Sequence, residues 1–206
     1  ILIPVRMASK RFPNKPMALI NGKPMVQRVW EQAMLSNLGE VVVACCEKEV
    51  FNHINALGGK AEMTNPDLPS GTDRIYEAIK NYSNIEQIDS IINLQGDMPI
   101  INPKDIGKVN IPLQQGFDIG TLVTELTEDH IRDVNITKAK IAWIHQYKIG
   151  KAIDFFKKDL KFTSNNIFHH VGIYSFRYNA LKKFVSMSPS KNEINRKLEQ
   201  LRALDA

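Results

Sequence analysis

Short apolar runs alternate with amphipathic stretches through the first half of the chain. The runs at 1–5 (ILIPV) and 41–46 (VVVACC) are rich in β-branched residues and lack a polar face, which is typical of strands buried on both sides. Residues 60–64 and 90–95 are predicted to form two further strands. This alternation predicts a Rossmann-like arrangement of strands and helices.

Three stretches between these strands have the period of an amphipathic helix. Pro24 opens the first, in which apolar positions recur on one face as far as Met34. The second covers 47–57 and ends at two glycines, since glycine tolerates the left-handed conformation of a helix cap. Apolar positions between 75 and 82 mark the third. Strands joined through helices favour right-handed crossovers and therefore a parallel sheet.

The second half of the chain has strand-like runs with little helix between them. Its predicted elements are strands at 118–126, 136–144, 151–156 and 169–176, a hairpin near 145–150, and helices at 178–185 and 193–204. We find no internal repeat, low-complexity tract or linker. The expected fold is therefore one α/β domain over 1–206. It has a mostly parallel Rossmann-like sheet with helices on both faces, and a small antiparallel extension at about 127–170.

Composition narrows the class of protein. Among the 206 residues, 43% are hydrophobic and 24% charged, as in soluble globular proteins. No apolar stretch reaches the roughly 18 residues that cross a bilayer, and the opening ILIPV lacks the basic region of a signal peptide. Cys45 and Cys46 are adjacent in sequence and provide no disulfide framework. These features predict a cytoplasmic protein without a membrane partner.

The net charge of +5 leaves two interpretations open. A nucleic-acid surface would concentrate Lys and Arg on one face with interleaved aromatic residues. Here the basic residues are scattered, except for a cluster near the amino end that comprises Lys10, Arg11, Lys15 and Lys23. We therefore favour a site for a small anionic substrate over a nucleic-acid surface.

The segment at 3–16 (IPVRMASKRFPNKP) carries the strongest functional signal. It follows the first predicted strand, so it lies at the carboxyl edge of the sheet, where open α/β folds bind ligands. Three prolines stiffen it. Its cationic and hydroxyl groups suit a triphosphate: Arg6, Ser9, Lys10, Arg11 and Lys15. The alternative is an exposed basic loop whose charges only add solubility.

Two further segments bring polar groups to this edge. Asp97 follows the predicted strand at 90–95, and a carboxylate there suits Mg²⁺, which takes one or two carboxylates plus substrate phosphates. The alternative is that Asp97 only turns the chain. In the second segment, SGTDR, either Ser70 or Thr72 is expected to cap the next helix, with Asp73 favourable in its first turn.

In this order the motifs resemble those of the 3-deoxy-manno-octulosonate cytidylyltransferase family. The resemblance covers nearly the whole chain. It rests on six motifs: P-x-R-x-x-S-x-R-x-P-x-K-P at 4–16, NGKPM at 21–25, SGTDR at 70–74, NLQGDMP at 93–99, HHVGIYSFR at 169–177 and LEQLRAL at 198–204.

The resemblance implies transfer of CMP from CTP to 3-deoxy-D-manno-octulosonate (KDO), a small acidic sugar, with Mg²⁺ as cofactor and lipopolysaccharide synthesis as the pathway. It implies a homodimer formed through the extension. The implied nucleotide site comprises Pro4, Arg6, Ser9, Arg11, Lys15, Ser70 and Gly71. The implied sugar site comprises Arg74, Gln95, His170 and Tyr174. The implied catalytic groups are Arg6, Lys15 and the metal ligand Asp97.

The chain departs from the family pattern at several places, two of which concern functional residues of the family. The family places a second metal-binding aspartate in a V-D-T motif near its carboxyl terminus. This chain stops at LRALDA, so we expect that segment to be missing and do not assign its role to Asp205. A serine-arginine pair of the family is Phe156-Lys157 here, and lysine does not replace the planar fork of arginine. Two alternatives therefore stay open: a related nucleotidyltransferase, such as a CMP-sialate synthetase, or a CTP-binding protein that has lost catalysis.

Overall fold

The structure is a computed structural model that describes residues 1–7, 12–80, 82–145, 149–157 and 166–206. The chain divides into two compact units. The first comprises Ile1–Gly120 with Ile173–Val185, and the second comprises Thr121–Gly172 with Ser186–Ala206. The second unit thus contains the predicted extension at about 127–170 together with the carboxyl-terminal helices.

The secondary structure follows the predicted order. The strands are β1 (Leu2–Pro4), β2 (Leu19–Ile20), β3 (Lys23–Pro24), β4 (Val42–Cys45), β5 (Lys60–Met63), β6 (Ile91–Asn93), β7 (Ile119–Thr124), β8 (Lys138–His145), β9 (Ile149–Phe156) and β10 (Ile167–Phe176). The helices are α1 (Met25–Leu35), α2 (Lys48–Ala56), α3 (Gly71–Ile79), α4 (Pro103–Ile106), α5 (Ile111–Gln114), α6 (Glu128–Arg132), α7 (Tyr178–Ser186), α8 (Lys191–Arg196) and α9 (Leu201–Asp205). Short 3₁₀ turns occupy Lys15–Met17, Ile85–Gln87 and Gly107–Asn110.

The sheet of the first unit is mostly parallel. Its strands follow the order β5-β4-β1-β6, and each neighbouring pair is parallel. The end of β10 then pairs antiparallel with β6, with Tyr174 opposite Asn93. Every residue of β1, β4 and β6 is buried, which is why these strands are short continuous apolar runs. The predicted α/β class and its parallel sheet are confirmed.

Helices cover the core of the first unit with one apolar face each. Val26, Val29 and Ala33 of α1 are fully buried, as the predicted periodicity requires. Helix α3 packs on β1 and β4, and its Ile75 and Ile79 join an apolar cluster with Leu2 of β1. No helix in the described ranges combines the length and the apolar character that crossing a bilayer demands.

Two parts of the first unit were not predicted. Residues 103–114 form helical turns, in which Ile106, Val109 and Leu113 point into the core. These turns are too short to show a helical period in the sequence. Strands β2 and β3 form a tight hairpin whose turn residues, Asn21 and Gly22, both have positive φ angles, of 47° and 76°. Such angles favour asparagine and glycine.

The second unit is built on an antiparallel sheet. Strands β8 and β9 pair antiparallel, as the predicted hairpin requires, and its connecting residues 146–148 lie outside the described residues. The first residues of β10 pair antiparallel with β8. Strand β7 also pairs with β10. The apolar core of this unit joins residues of β8, β9 and the carboxyl-terminal segment, namely Ala139, Ile141, Phe155, Leu198 and Leu201. The hairpin was predictable because Gly150 lies between two strand-like runs that are close in sequence.

The prediction of one helix over 193–204 is wrong. The chain forms α8 and α9 instead, separated by Lys197 in the left-handed conformation, with φ 56°. The Leu198 amide then bonds back to the Glu193 carbonyl at 3.3 Å. This break turns the chain so that Leu198 reaches the apolar core. The buried Arg202 guanidinium donates two hydrogen bonds, of 2.8 and 2.6 Å, to the Glu193 carboxylate on the other side of the break.

Candidate active site

A pocket of about 280 Å³ opens in the first unit. It lies at the carboxyl ends of β1 and β6 and beside the start of α3, where open α/β sheets bind ligands. Its lining comprises Pro4, Val5, Arg6, Lys15, Pro16, Ser70, Gly71, Arg74, Gln95, Gly96 and Asp97. The structure therefore brings together most of the predicted site, from three segments far apart in sequence.

The segment after β1 supplies two cations to the pocket. Arg6 is exposed, and Lys15 begins a 3₁₀ turn directly after Asn14, whose φ is 57°. The Asn14 amide donates to the Met7 carbonyl at 3.2 Å, so the beginning and the end of the segment are in contact. The Met7 amide is in turn held by the Glu47 carboxylate at 2.8 Å.

Other predicted groups of this segment lie outside the described residues, namely Ser9, Lys10 and Arg11. Their assignment to the triphosphate stays a prediction. The anchoring role of Glu47 was missed, because in the sequence this residue only marks the start of α2.

Asp97 forms an ion pair with Lys15 in the pocket lining. The Lys15 ammonium donates to Asp97 Oδ2 at 2.8 Å, and the two side chains are 33% and 54% exposed. Among the lining residues that the structure describes, Asp97 is the acidic one, beside the cations Arg6, Lys15 and Arg74. An excess of positive charge in a cleft attracts polyanions, so the electrostatics suit a nucleoside triphosphate.

The donor set at Asp97 fits a hard divalent cation that arrives with phosphate. In the described part of the chain, no three His, Cys, Asp or Glu side chains are placed to hold a metal together. One accessible carboxylate completed by substrate phosphates is a common arrangement for Mg²⁺. The carboxylate of Asp205, in the second unit, accepts from Asn192 at 3.0 Å and from the Ser190 hydroxyl at 2.5 Å.

Ser70 caps α3, which confirms one of the two predicted capping residues. Its hydroxyl oxygen accepts from the Thr72 and Asp73 amides, both at 3.1 Å, and its proton goes to the Asp73 carboxylate at 2.6 Å. Gly71 follows against β1, where a Cβ atom would lie 3.2 Å from Pro4 Cγ. The cap and the glycine together hold the start of α3 close to the pocket floor.

Gln95 is oriented by a chain of amide hydrogen bonds. Its Nε2 donates to Asn93 Oδ1 at 3.0 Å, and Asn93 Nδ2 points to Thr72 Oγ1 at 3.4 Å. Asn93 is fully buried, so the chain is fixed from inside the protein. Gln95 lines the pocket, and its Oε1 lies 3.7 Å from where a Cβ of Gly71 would lie. The orienting role of Asn93 was not predicted, although a polar residue at the end of a buried apolar run is a signal for such a role.

Arg74 lines the pocket but is only 2% exposed. Its Nη1 donates to Thr64 Oγ1 at 2.5 Å and to the Asn65 carbonyl at 3.2 Å, and Thr64 bonds on to the Cys45 carbonyl at 2.9 Å. Nη2 is buried without an oxygen acceptor among the described residues, and the Cys46 thiol interacts with the same guanidinium. The ends of β4 and β5 thus fix this guanidinium. Its contact with a sugar carboxylate stays a prediction.

His170 and Tyr174, the remaining predicted sugar contacts, have surroundings of their own. His170 lies in the second unit, where its Nε2 is 3.0 Å from Thr121 Oγ1 and its ring meets Phe155 edge-on. Burial, with a smaller effect of His169, lowers the pKa of His170 to about 4. Tyr174 packs against the apolar cluster of the first unit. Their contacts with substrate stay predictions.

The two cysteines are free thiols without nucleophilic character. Cys45 is buried and Cys46 half-buried. Burial raises the pKa of Cys45 to about 12, and burial together with the Glu47 carboxylate also raises the pKa of Cys46. Since the thiolate is the reactive form, neither side chain suits covalent catalysis.

The fold and the pocket define a nucleotide-binding α/β transferase. The sequence profile of the cytidylyltransferases matches residues 1–206, so the chain belongs to the cytidylyltransferase family. This confirms the resemblance found in the motifs.

Curated relatives and solved structures agree with this family. The chain is 42% identical to 3-deoxy-manno-octulosonate cytidylyltransferase from Paramagnetospirillum magneticum, covering 100% of this chain and 84% of the relative. The chain is 40% identical to the enzyme of the same name from Parvibaculum lavamentivorans, covering 100% of this chain and 80% of the relative. The structure of CMP:2-keto-3-deoxy-manno-octonic acid synthetase complexed with CTP superposes with a TM-score of 0.86 and 32% identity. The match covers 99% of this chain and 84% of that one. UDP-glucose pyrophosphorylase, with a TM-score of 0.62 and 14% identity, shares the fold.

Proposed function

We propose that this protein transfers CMP from CTP to KDO, forming CMP-KDO and pyrophosphate. The observation that carries the proposal is 42% identity over the whole chain to an enzyme named for this reaction. The pocket adds the polar groups the reaction needs, in one cleft. Lipopolysaccharide assembly as the destination of the product, and the cytoplasm as its location, belong to the same proposal.

The reaction joins the anomeric oxygen of the sugar acid to the α-phosphorus of CTP. The bond from that phosphorus to the bridging oxygen breaks, pyrophosphate leaves, and the hydroxyl proton is lost to solvent. Arg6 and Lys15 bind the triphosphate and neutralise charge that develops on the leaving group. Ser70 and Gly71 border the base, where small side chains and backbone groups read a pyrimidine edge and leave no room for a purine.

Asp97 is the proposed Mg²⁺ ligand, together with phosphate oxygens of the nucleotide. When bound, Mg²⁺ neutralises phosphate charge and makes the attacking hydroxyl easier to deprotonate. The oriented Gln95 amide binds sugar hydroxyls, and Arg74 provides positive charge near the sugar carboxylate. The protein's own contribution is to align the two substrates, which for such transfers supplies much of the rate.

A pyrophosphate-release assay with CTP, KDO and Mg²⁺ tests the reaction. We expect release that requires Mg²⁺ and falls at least about a hundredfold in Asp97→Asn, the size of effect typical for loss of a transition-state electrostatic group. Asp105→Asn is the matched control, because Asp105 is an exposed carboxylate paired with Lys108 at 2.6 Å outside the pocket lining.

Each other outcome of this assay has a defined meaning. Release with a sialic acid but not with KDO would show that the sugar substrate is a sialic acid and that the reaction is still a transfer of CMP. CTP binding without release from any sugar acid would support a nucleotide-binding protein that has lost catalysis, and would refute the proposed activity.

We also propose a homodimer, as the resemblance implies, formed through the β8–β9 hairpin. Ile144 and Ile153 of that hairpin are 45% and 53% exposed, and burying such side chains favours association. Light scattering is expected to give twice the chain mass of 23.4 kDa, and Ile153→Asp is expected to weaken the dimer. A monomer at micromolar concentration would refute this part of the proposal.

A further inference from the structure

The carboxylate proposed to bind metal is already paired with a lysine. The Lys15 ammonium sits 2.8 Å from Asp97 Oδ2, a charge-assisted hydrogen bond between a 3₁₀ turn and the end of β6. Both side chains are accessible to solvent, at 33% and 54%, so the pair is free to open. The ligand oxygen therefore has two candidate partners, the ammonium and the divalent ion.

Charge in the pocket decides which partner Asp97 takes before a nucleotide binds. The described lining residues comprise three cations and one carboxylate, and a divalent cation entering this field is repelled. Triphosphate reverses the situation, because its negative charges attract the ammonium and supply further oxygen ligands for the ion. Lys15 is then drawn from Asp97 toward phosphate.

We propose that Lys15 makes metal binding at Asp97 conditional on nucleotide. Paired with Asp97, Lys15 weakens the binding of divalent ions to the nucleotide-free pocket; once it has moved to the triphosphate, the carboxylate is available to the ion. The inference rests on the proposed function and adds an order to it, in which metal enters with or after CTP. The Lys15–Asp97 pair makes the free energy of metal binding less favourable in the nucleotide-free site. This cost is absent when nucleotide is bound, so nucleotide and metal binding are linked.

Mn²⁺ binding to the nucleotide-free protein tests the proposal directly. Mn²⁺ prefers the same hard oxygen ligands as Mg²⁺, and electron paramagnetic resonance counts the free ion. With no CTP or sugar present, the measurement does not depend on turnover. We expect Lys15→Met to raise the Mn²⁺ affinity about three- to tenfold, because one adjacent positive charge is removed from a partly screened site.

Three further variants separate this effect from a general change of charge. Lys23→Met removes the same charge and a similar exposed ion pair, that of Lys23 with Glu31 at 2.7 Å, outside the pocket lining, and should leave the affinity unchanged. In the double variant Lys15→Met/Asp97→Asn the gain should vanish, because the ligand is gone. Lys15→Gln, which is also uncharged, should reproduce the effect of Lys15→Met.

The outcomes separate this inference from the proposed function. Equal Mn²⁺ affinities in the wild type and Lys15→Met, including no measurable binding to either, would overturn the conditional site even if the protein releases pyrophosphate. A gain in Lys23→Met as large as in Lys15→Met would do the same. The expected gain in a protein that releases no pyrophosphate would support the paired carboxylate while refuting the proposed reaction.

Discussion

Acidification should destabilise the second unit through His170. This side chain is 6% exposed, its Nε2 lies 3.0 Å from Thr121 Oγ1, and its ring packs edge-on against Phe155. Burial, and to a smaller extent the neighbouring His169, lowers the pKa of His170 from its ordinary 6.5 to about 4. The folded protein therefore keeps the imidazole neutral at pH values where the unfolded chain protonates it.

The direction of the effect follows from proton binding. Between pH 6.5 and about 4 the unfolded chain binds more protons at this residue than the folded one, so the free energy of unfolding falls as the pH drops. At about 1.4 kcal/mol for each pH unit, the full loss is about 3 kcal/mol, and most of it is reached at pH 4.5. Above pH 7 this residue has almost no effect.

Urea unfolding at pH 7.5 and pH 4.5 measures this loss. Trp143 reports on the second unit, where its ring packs 5.1 Å from Phe168, and a Trp30→Phe background leaves it as the sole tryptophan. The comparison is His170→Gln, whose amide keeps a polar partner for Thr121 and does not titrate. The Trp30→Phe protein that keeps His170 should lose about 2–3 kcal/mol more than its His170→Gln variant between the two pH values.

Two results would refute this reasoning. Equal losses in the two proteins would assign the acid sensitivity to carboxylates and other histidines. A nuclear magnetic resonance titration of the His170 ring with a midpoint near 6.5 would show that burial does not disfavour its charged form.

Two further predictions concern packing and ion pairs. Gly96→Ala would place a Cβ 2.9 Å from the Pro4 carbonyl oxygen. We therefore expect the free energy of unfolding in urea to fall by about 1–3 kcal/mol, and CTP binding measured by calorimetry to weaken. Unchanged values would show that the segments around Gly96 and Pro4 separate easily. Arg202→Met leaves the buried Glu193 without its partner and should cost about 3–5 kcal/mol. Arg196→Met, which breaks a pair 40% and 37% exposed, should cost less than about 1 kcal/mol, and equal costs would contradict the role of burial.

The strands and most helices were predictable because their signals are local. A run of β-branched residues with no polar face predicts a strand buried on both sides, and β4 is buried at every position. Ser70 was predictable as a cap because a hydroxyl before a helical period has a local acceptor role. The break at Lys197 was not, because its cause is the burial of Leu198 against residues about fifty positions away.

The candidate site shows the same division. The sequence by itself determined which residues carry the chemistry: cations after the first strand, the SGTDR helix start and the acidic residue after β6. Only the tertiary structure decided that Lys15 and Asp97, 82 residues apart, form a pair, and that Thr64 holds Arg74. Residue type and spacing specify what a side chain offers, whereas its partner depends on how parallel strands bring their carboxyl ends to one edge.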